Sequence, residues 1–157
     1  MRYATLATLL ILSLALAGCK SLSSSPSLSP GPELDHVQTA QALFQAALDF
    51  KSDSPEAVEA EAARLAELFF HTPPETADMM LRGLTKMMLD FNKLRDNQAD
   101  WRLDSVSEIE ALGDTAKAMA SLRYTMGNAD GQAGDGVRYL TVTLVRVDKV
   151  WRVALIS

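Results

Sequence analysis

The stretch Trp101–Met126, WRLDSVSEIEALGDTAKAMASLRYTM, decides the fold. Its apolar residues recur at every second position, the period of a strand with one buried face. Gly113-Asp114 is a two-residue hairpin turn that sets Leu112 opposite Thr115. Antiparallel pairing then places Ala111 opposite Ala116, Ile109 opposite Ala118, Leu103 opposite Tyr124 and Trp101 opposite Met126. The other face pairs Glu110 with Lys117 and Asp104 with Arg123, and opposite charges meeting in register support the hairpin independently. A second hairpin turns at Asp148-Lys149, setting Leu144 against Val153 and Val142 against Leu155, with Trp151 beside them. Between the hairpins, Gly127–Gly136 holds four of the chain's eight glycines and reads as a loop. Its Asn128, Asp130 and Asp135 match no complete calcium-loop spacing, so no metal site is expected.

Upstream the period is helical. From Asp35 to Lys51, Val37, Ala40, Phe44, Ala47 and Leu48 form one stripe, widened by Leu43 and Phe50. Ser54-Pro55-Glu56 restarts a helix with serine as N-cap and proline in the first turn, and Val58, Ala62, Leu65 and Phe69 form its apolar face. Thr72-Pro73-Pro74-Glu75 reads as a capping box for a third helix running to about Asn97, with Met80, Leu84, Met87, Phe91 and Leu94 on one side. The expected class is therefore α+β: three N-terminal helices packed on a curved four-stranded antiparallel sheet.

The chain has 157 residues, enough for one ordinary domain. Fifteen basic against 20 acidic residues give a formal net charge of −5, which argues against a nucleic-acid partner. One cysteine excludes internal disulfides and multi-cysteine metal sites, and the two histidines, His36 and His71, leave little for metal or acid–base chemistry.

The N-terminus accounts for the cysteine. Residues 1–18, MRYATLATLLILSLALAG, have the charge, apolar run and small residues of an export signal, and the run is too short to span a membrane. Leu16-Ala17-Gly18-Cys19 resembles the lipobox of bacterial lipoproteins, which implies that Cys19 is acylated and becomes the first mature residue. Several acyl chains give stable anchoring, at about 0.8 kcal/mol per buried methylene. Lys20 follows where an aspartate would mark inner-membrane retention, so the resemblance implies the periplasmic side of the outer membrane. Residues 20–34 hold six serines and three prolines, cannot bury a core, and are expected to form a semi-extended tether. The expected organisation is a signal over 1–18, a lipidated cysteine and tether over 19–34, and a domain over 35–157.

That domain resembles the nuclear transport factor 2-like (cystatin-like) superfamily. The resembling residues are Ala42–Leu48 in the first helix, Leu112-Gly113-Asp114-Thr115-Ala116 between strands, and the terminal Leu144–Val153 with its aspartate turn before tryptophan. A strand pair common between helices two and three has no room here, which implies a shallower cone. Superfamily enzymes of the dehydratase or isomerase type place a carboxylate, histidine or tyrosine inside it. The straight hairpin register puts no Asp, Glu, His or Lys on that face, leaving Tyr124 as the one candidate acid. The expectation is a non-catalytic binding or interaction domain without a cofactor; a small enzyme using Tyr124 is the alternative.

Two kinds of site are expected. Met80, Leu84, Met87 and Phe91 could cover a sheet face made by Trp101, Ser105, Ser107, Ala120, Leu122 and Tyr124, forming a site for an apolar small molecule. The same residues could equally fill a core, and both readings stay open at this point. Strand three is also apolar on its other side, where Tyr139, Val145 and Val147 invite a second copy or an envelope protein.

Overall fold

The computed structural model describes residues 34–96, 100–127 and 133–157. The signal, Cys19 and tether lie outside the described residues, as do Asn128, Asp130 and the side chain of Leu94. Helices α1 (His36–Asp49), α2 (Pro55–Phe69) and α3 (Pro74–Asp96) precede strands β1 (Asp100–Leu112), β2 (Thr115–Gly127), β3 (Ala133–Val147) and β4 (Val150–Ile156). The strands form one antiparallel sheet in the order β1-β2-β3-β4.

Each helix start has a local cause. Asp35 caps α1 by accepting from the Gln38 N–H, and the Gln38 side chain returns the contact to Asp35 N–H. Ser54 caps α2 ahead of Pro55 as the sequence implies. Helix α3 starts differently: Pro73, not Thr72, supplies the first carbonyl, accepting from the N–H groups of Thr76 and Ala77. Proline at Pro74 has no N–H to satisfy, so the first turn can begin there.

The apolar stripes meet in one core. Phe44, Phe69, Phe91, Leu43, Leu65 and Leu122 are fully buried within it. Helix α1 lies on β1, β2 and β4, whereas α3 packs on α2 and meets the sheet chiefly at β1. That tilt leaves α3 standing off the other side of the sheet.

The β1–β2 register departs from the straight reading. Near the turn, Leu112, Ala111 and Glu110 face Thr115, Ala116 and Lys117 as expected. Then β1 bulges twice, at Ile109 and at Asp104, each adding one residue opposite a continuous β2. Ala118 therefore meets Glu108 instead of Ile109, Leu103 meets Leu122, and Trp101 meets Tyr124. Between the bulges the parity inverts. Val106 turns toward the helices opposite Ala120, while Ser105 and Ser107 turn outward opposite Ser121 and Met119.

The second bulge also has an electrostatic role. Arg102 stands directly across from Arg123, a like-charge pairing that costs stability. Asp104, the extra residue, accepts from Arg123 Nε at 2.8 Å and lies 3.2 Å from Arg102 Nε. The Asp104 carboxylate accepting this bond holds the Arg123 guanidinium above its ordinary value.

At the other hairpin, Asp148 and Lys149 both have positive φ, 52° and 68°, as a type I′ turn requires. Leu144 meets Val153 as expected, but a bulge after it pairs Val142 with Ile156 and moves Leu155 opposite Thr143. The glycine-rich segment is not all loop: β2 continues to Gly127 and β3 resumes at Ala133. Gly136 pairs with Tyr124, whose ring occupies the space a Cβ at 136 would fill. Glycine there lets the aromatic ring lie flat over the neighbouring strand. Between α2 and α3, a single parallel bridge joins Phe70 to Val153, and the His71 N–H donates to the Val153 carbonyl at 2.9 Å. This one contact stands where the superfamily resemblance implies a strand pair.

Candidate functional site

The stand-off of α3 opens a groove of about 420 Å³ on the β3–β4 side of the sheet. Its helical wall is Met79, Met80, Gly83, Leu84 and Met87, and its sheet wall is Leu140, Leu155 and Ile156. Met80, Leu84 and Met87 are the three expected ligand residues that reach it. Methionine suits such a wall because its unbranched thioether adapts to irregular apolar shapes. Met79 and Leu155 are 54% and 42% exposed, large apolar surface that the described residues leave uncovered.

Gly83 is the unusual member. A glycine inside a helix costs about 1 kcal/mol relative to alanine. No heavy atom lies within 4 Å of where its Cβ would be, so packing within the described residues does not require glycine.

Lys86 and Arg138 also line the groove, together with Ser157, the last residue of the sequence, whose main-chain oxygen accepts from the Thr141 N–H at 2.8 Å. Lys86 pairs with Asp90 at 3.2 Å along the helix. Arg138 has no carboxylate partner among the described residues.

The remaining expected ligand residues do not assemble into a cavity with these. Phe91, Ala120 and Leu122 are fully buried core, at 1%, 0% and 0% exposure. Ser105 and Ser107 are on the opposite, solvent-facing side of the sheet because of the bulges. Phe91, Trp101 and Tyr124 stack in series, with ring centroids 5.2 Å and 4.8 Å apart. Such tilted aromatic pairs add about 0.5–1.5 kcal/mol each beyond burial, so this column is structural. Within it the Trp101 Nε1–H is buried with no acceptor among the described residues, a cost of about 1–3 kcal/mol.

The bulges also correct the expectation of a helix-facing side without titratable groups. They turn Glu108 toward α1, where its Oε2 is 2.6 Å from His36 Nε2. Trp151 packs edge-on against the same imidazole, at 5.3 Å between centroids. His36 thus packs against the sheet. No signal for this pair was visible in a straight register. Among the described residues no group of three His, Cys, Asp or Glu could hold a metal ion, and no helix is long and apolar enough to cross a membrane.

On the outer sheet face Tyr139 is 61% exposed, and Val145 and Val147 are half-buried. Tyr139 stands opposite Ser121, which is two residues along β2 from the exposed Met119 and on the same face.

No protein-family model matches this sequence, and no curated protein matches it. Solved structures do. The structural neighbours are nuclear transport factor 2-like and cystatin-like proteins. A nuclear transport factor 2-like superfamily protein from Salmonella enterica serovar Typhimurium is 14% identical, with a TM-score of 0.45 over 76% of this chain and 86% of that one. A nuclear transport factor 2-like protein with a cystatin-like fold from Novosphingobium aromaticivorans is 17% identical, with a TM-score of 0.45 over 75% of this chain and 77% of that one. An uncharacterised protein with a cystatin-like fold from Caulobacter vibrioides is 20% identical, with a TM-score of 0.44 over 73% and 82%.

Proposed function

We propose that this chain is a non-catalytic binding protein of the bacterial envelope, which holds a mostly apolar small molecule between α3 and the sheet. The observation that carries the reading is the uncovered groove with Gly83 in its wall. Its volume falls within the about 300–1,000 Å³ of ordinary ligand sites, and its lining is mostly apolar, with Lys86, Arg138 and Ser157 as the polar members. Catalysis finds less support. Tyr124 lies in the aromatic column, and the His36–Glu108 pair lies on α1 and β1, away from the groove residues.

The neutral dye Nile red tests this. Wild type is expected to bind one dye with the blue-shifted emission of an apolar site, and Gly83→Trp is expected to bind none. The melting temperature of Gly83→Trp should stay within a few degrees of wild type, because the new side chain enters open space. Equal dye binding by the two proteins would end the reading.

The anchor belongs to the same proposal: Cys19 acylated, residues 20–34 as the tether, and the periplasmic face of the outer membrane as the destination. Its support is the Leu16-Ala17-Gly18-Cys19 sequence and the serine- and proline-rich segment that follows. Wild type is expected to incorporate labelled palmitate, and Cys19→Ser to accumulate as unprocessed precursor. Absence of label from wild type would refute the anchor. A second reading, self-association or partner binding through the outer sheet face, is favoured by the exposed Tyr139.

A further inference from the structure

We propose that Met79 is an oxidation site that controls the α3–sheet groove: hydrogen peroxide converts its thioether to the sulfoxide, and the groove then releases its apolar ligand. The inference rests on the binding reading above. It adds a residue through which binding is regulated and the chemical class of the regulator, a two-electron oxygen donor.

The methionines of the domain fall into two groups. Met80 and Met87 are 7% exposed and Met88 is fully buried, whereas Met79 is more than half exposed. Peroxide must reach a sulfur to oxidise it, so one helix carries a reactive thioether beside three sheltered ones. Met119 and Met126 are exposed as well, but neither lines the groove. Gly83 supplies a cause for the exposure of Met79. Helical side chains lean toward the N-terminus, so the residue at 83 is the one that would cover Met79 from the next turn. Glycine covers nothing, and no heavy atom lies within 4 Å of where its Cβ would be. A glycine that costs the helix about 1 kcal/mol thereby leaves Met79 accessible.

The step balances with peroxide as the one co-reactant. A sulfur lone pair attacks one peroxide oxygen, the O–O bond breaks, and the other oxygen leaves as water after proton transfer. Sulfur is oxidised by two electrons and peroxide is reduced by two. The product places a polar S–O group in a wall shared with Met80, Leu84, Met87 and Leu140. Covering that group with an apolar ligand strips it of water, a cost that weakens binding about tenfold. The sulfoxide is reversible by methionine sulfoxide reductases, so the groove regains its apolar wall when the oxidant is gone.

Peroxide treatment of the purified full chain tests the proposal, read by peptide mass spectrometry and by Nile red titration. Met79 is expected to gain oxygen several-fold faster than Met80, Met87 or Met88. Through the time course, loss of dye binding should track the fraction of Met79 sulfoxide, reaching an affinity about tenfold weaker. Sulfoxide reductases with dithiothreitol should restore it. In Met79→Leu the ratio of affinities before and after peroxide should fall from about ten to about one, whatever the starting affinity. In the double variant Met119→Leu/Met126→Leu it should stay at the wild-type value. Cys19 is common to every variant, so its own oxidation cancels in the comparison. Met79 oxidising no faster than Met80 and Met87, equal dye affinity before and after treatment, or a loss that persists in Met79→Leu would overturn the switch while leaving an apolar ligand in the groove. Failure of untreated wild type to bind the dye would instead overturn the groove reading, and the switch with it.

Discussion

Ala120→Trp is expected to lower stability by about 3 kcal/mol or more, about 10 °C or more in melting temperature for a domain of this size. Ala120 is fully buried between Val106 on β1 and Leu140 on β3, beneath the helices. In a close-packed core a tryptophan there must displace main chain. Thermal melts followed by circular dichroism measure the loss. An unchanged melt would mean that the sheet centre is hollow, and would move the ligand site from the groove to the middle of the cone.

Phe91→Ala should cost about 3–5 kcal/mol, the range for deleting a fully buried aromatic ring. The ring stacks on Trp101 and ties the C-terminal part of α3 to β1, the strand through which that helix chiefly meets the sheet. Function should change as well. With that tie cut, the angle between α3 and the sheet is no longer fixed, so Nile red affinity should fall even below the melting transition. Denaturant titration gives the stability, and dye titration at low temperature gives the second effect. A variant that loses stability but binds dye normally would separate the groove geometry from the aromatic column.

Much of the architecture was legible because its causes are local. Ser54-Pro55 starts α2, the α2 stripe is buried residue for residue, and in α1 only Val37 and Phe50, at the two ends of the stripe, are half-buried. Gly113 takes a φ of 61° at the turn that the alternation on either side of it demands. What the straight register missed was a change of parity, which alternation alone cannot carry across a bulge. A clue was present in Ser105-Val106-Ser107: without a bulge, two hydroxyls turn inward and a valine outward. The bulges reverse this, and Glu108 is thereby brought inward to His36. For the groove, the sequence supplied Met80, Leu84 and Met87 but not the opposite wall. Leu140 was legible as an inward residue, whereas Leu155 and Ile156 exchange pairing partners through the β4 bulge.

The two ends of the sheet bear on how closely copies can be crowded. A regular unpaired edge offers its N–H and C=O groups to any passing strand, the step by which folded domains grow into fibres. Here one edge, β4, already has its Val153 carbonyl engaged by the His71 N–H, and the side chain of Arg152 reaches the Leu68 carbonyl beside it. The other edge, β1, is interrupted at Asp104 and Ile109, with Arg102, Glu108 and Glu110 in the same stretch. A second chain would have to match both irregularities and these charges to continue the ladder. High local density therefore does not template polymerisation through the backbone, and any association between copies must use side chains on the sheet's broad faces.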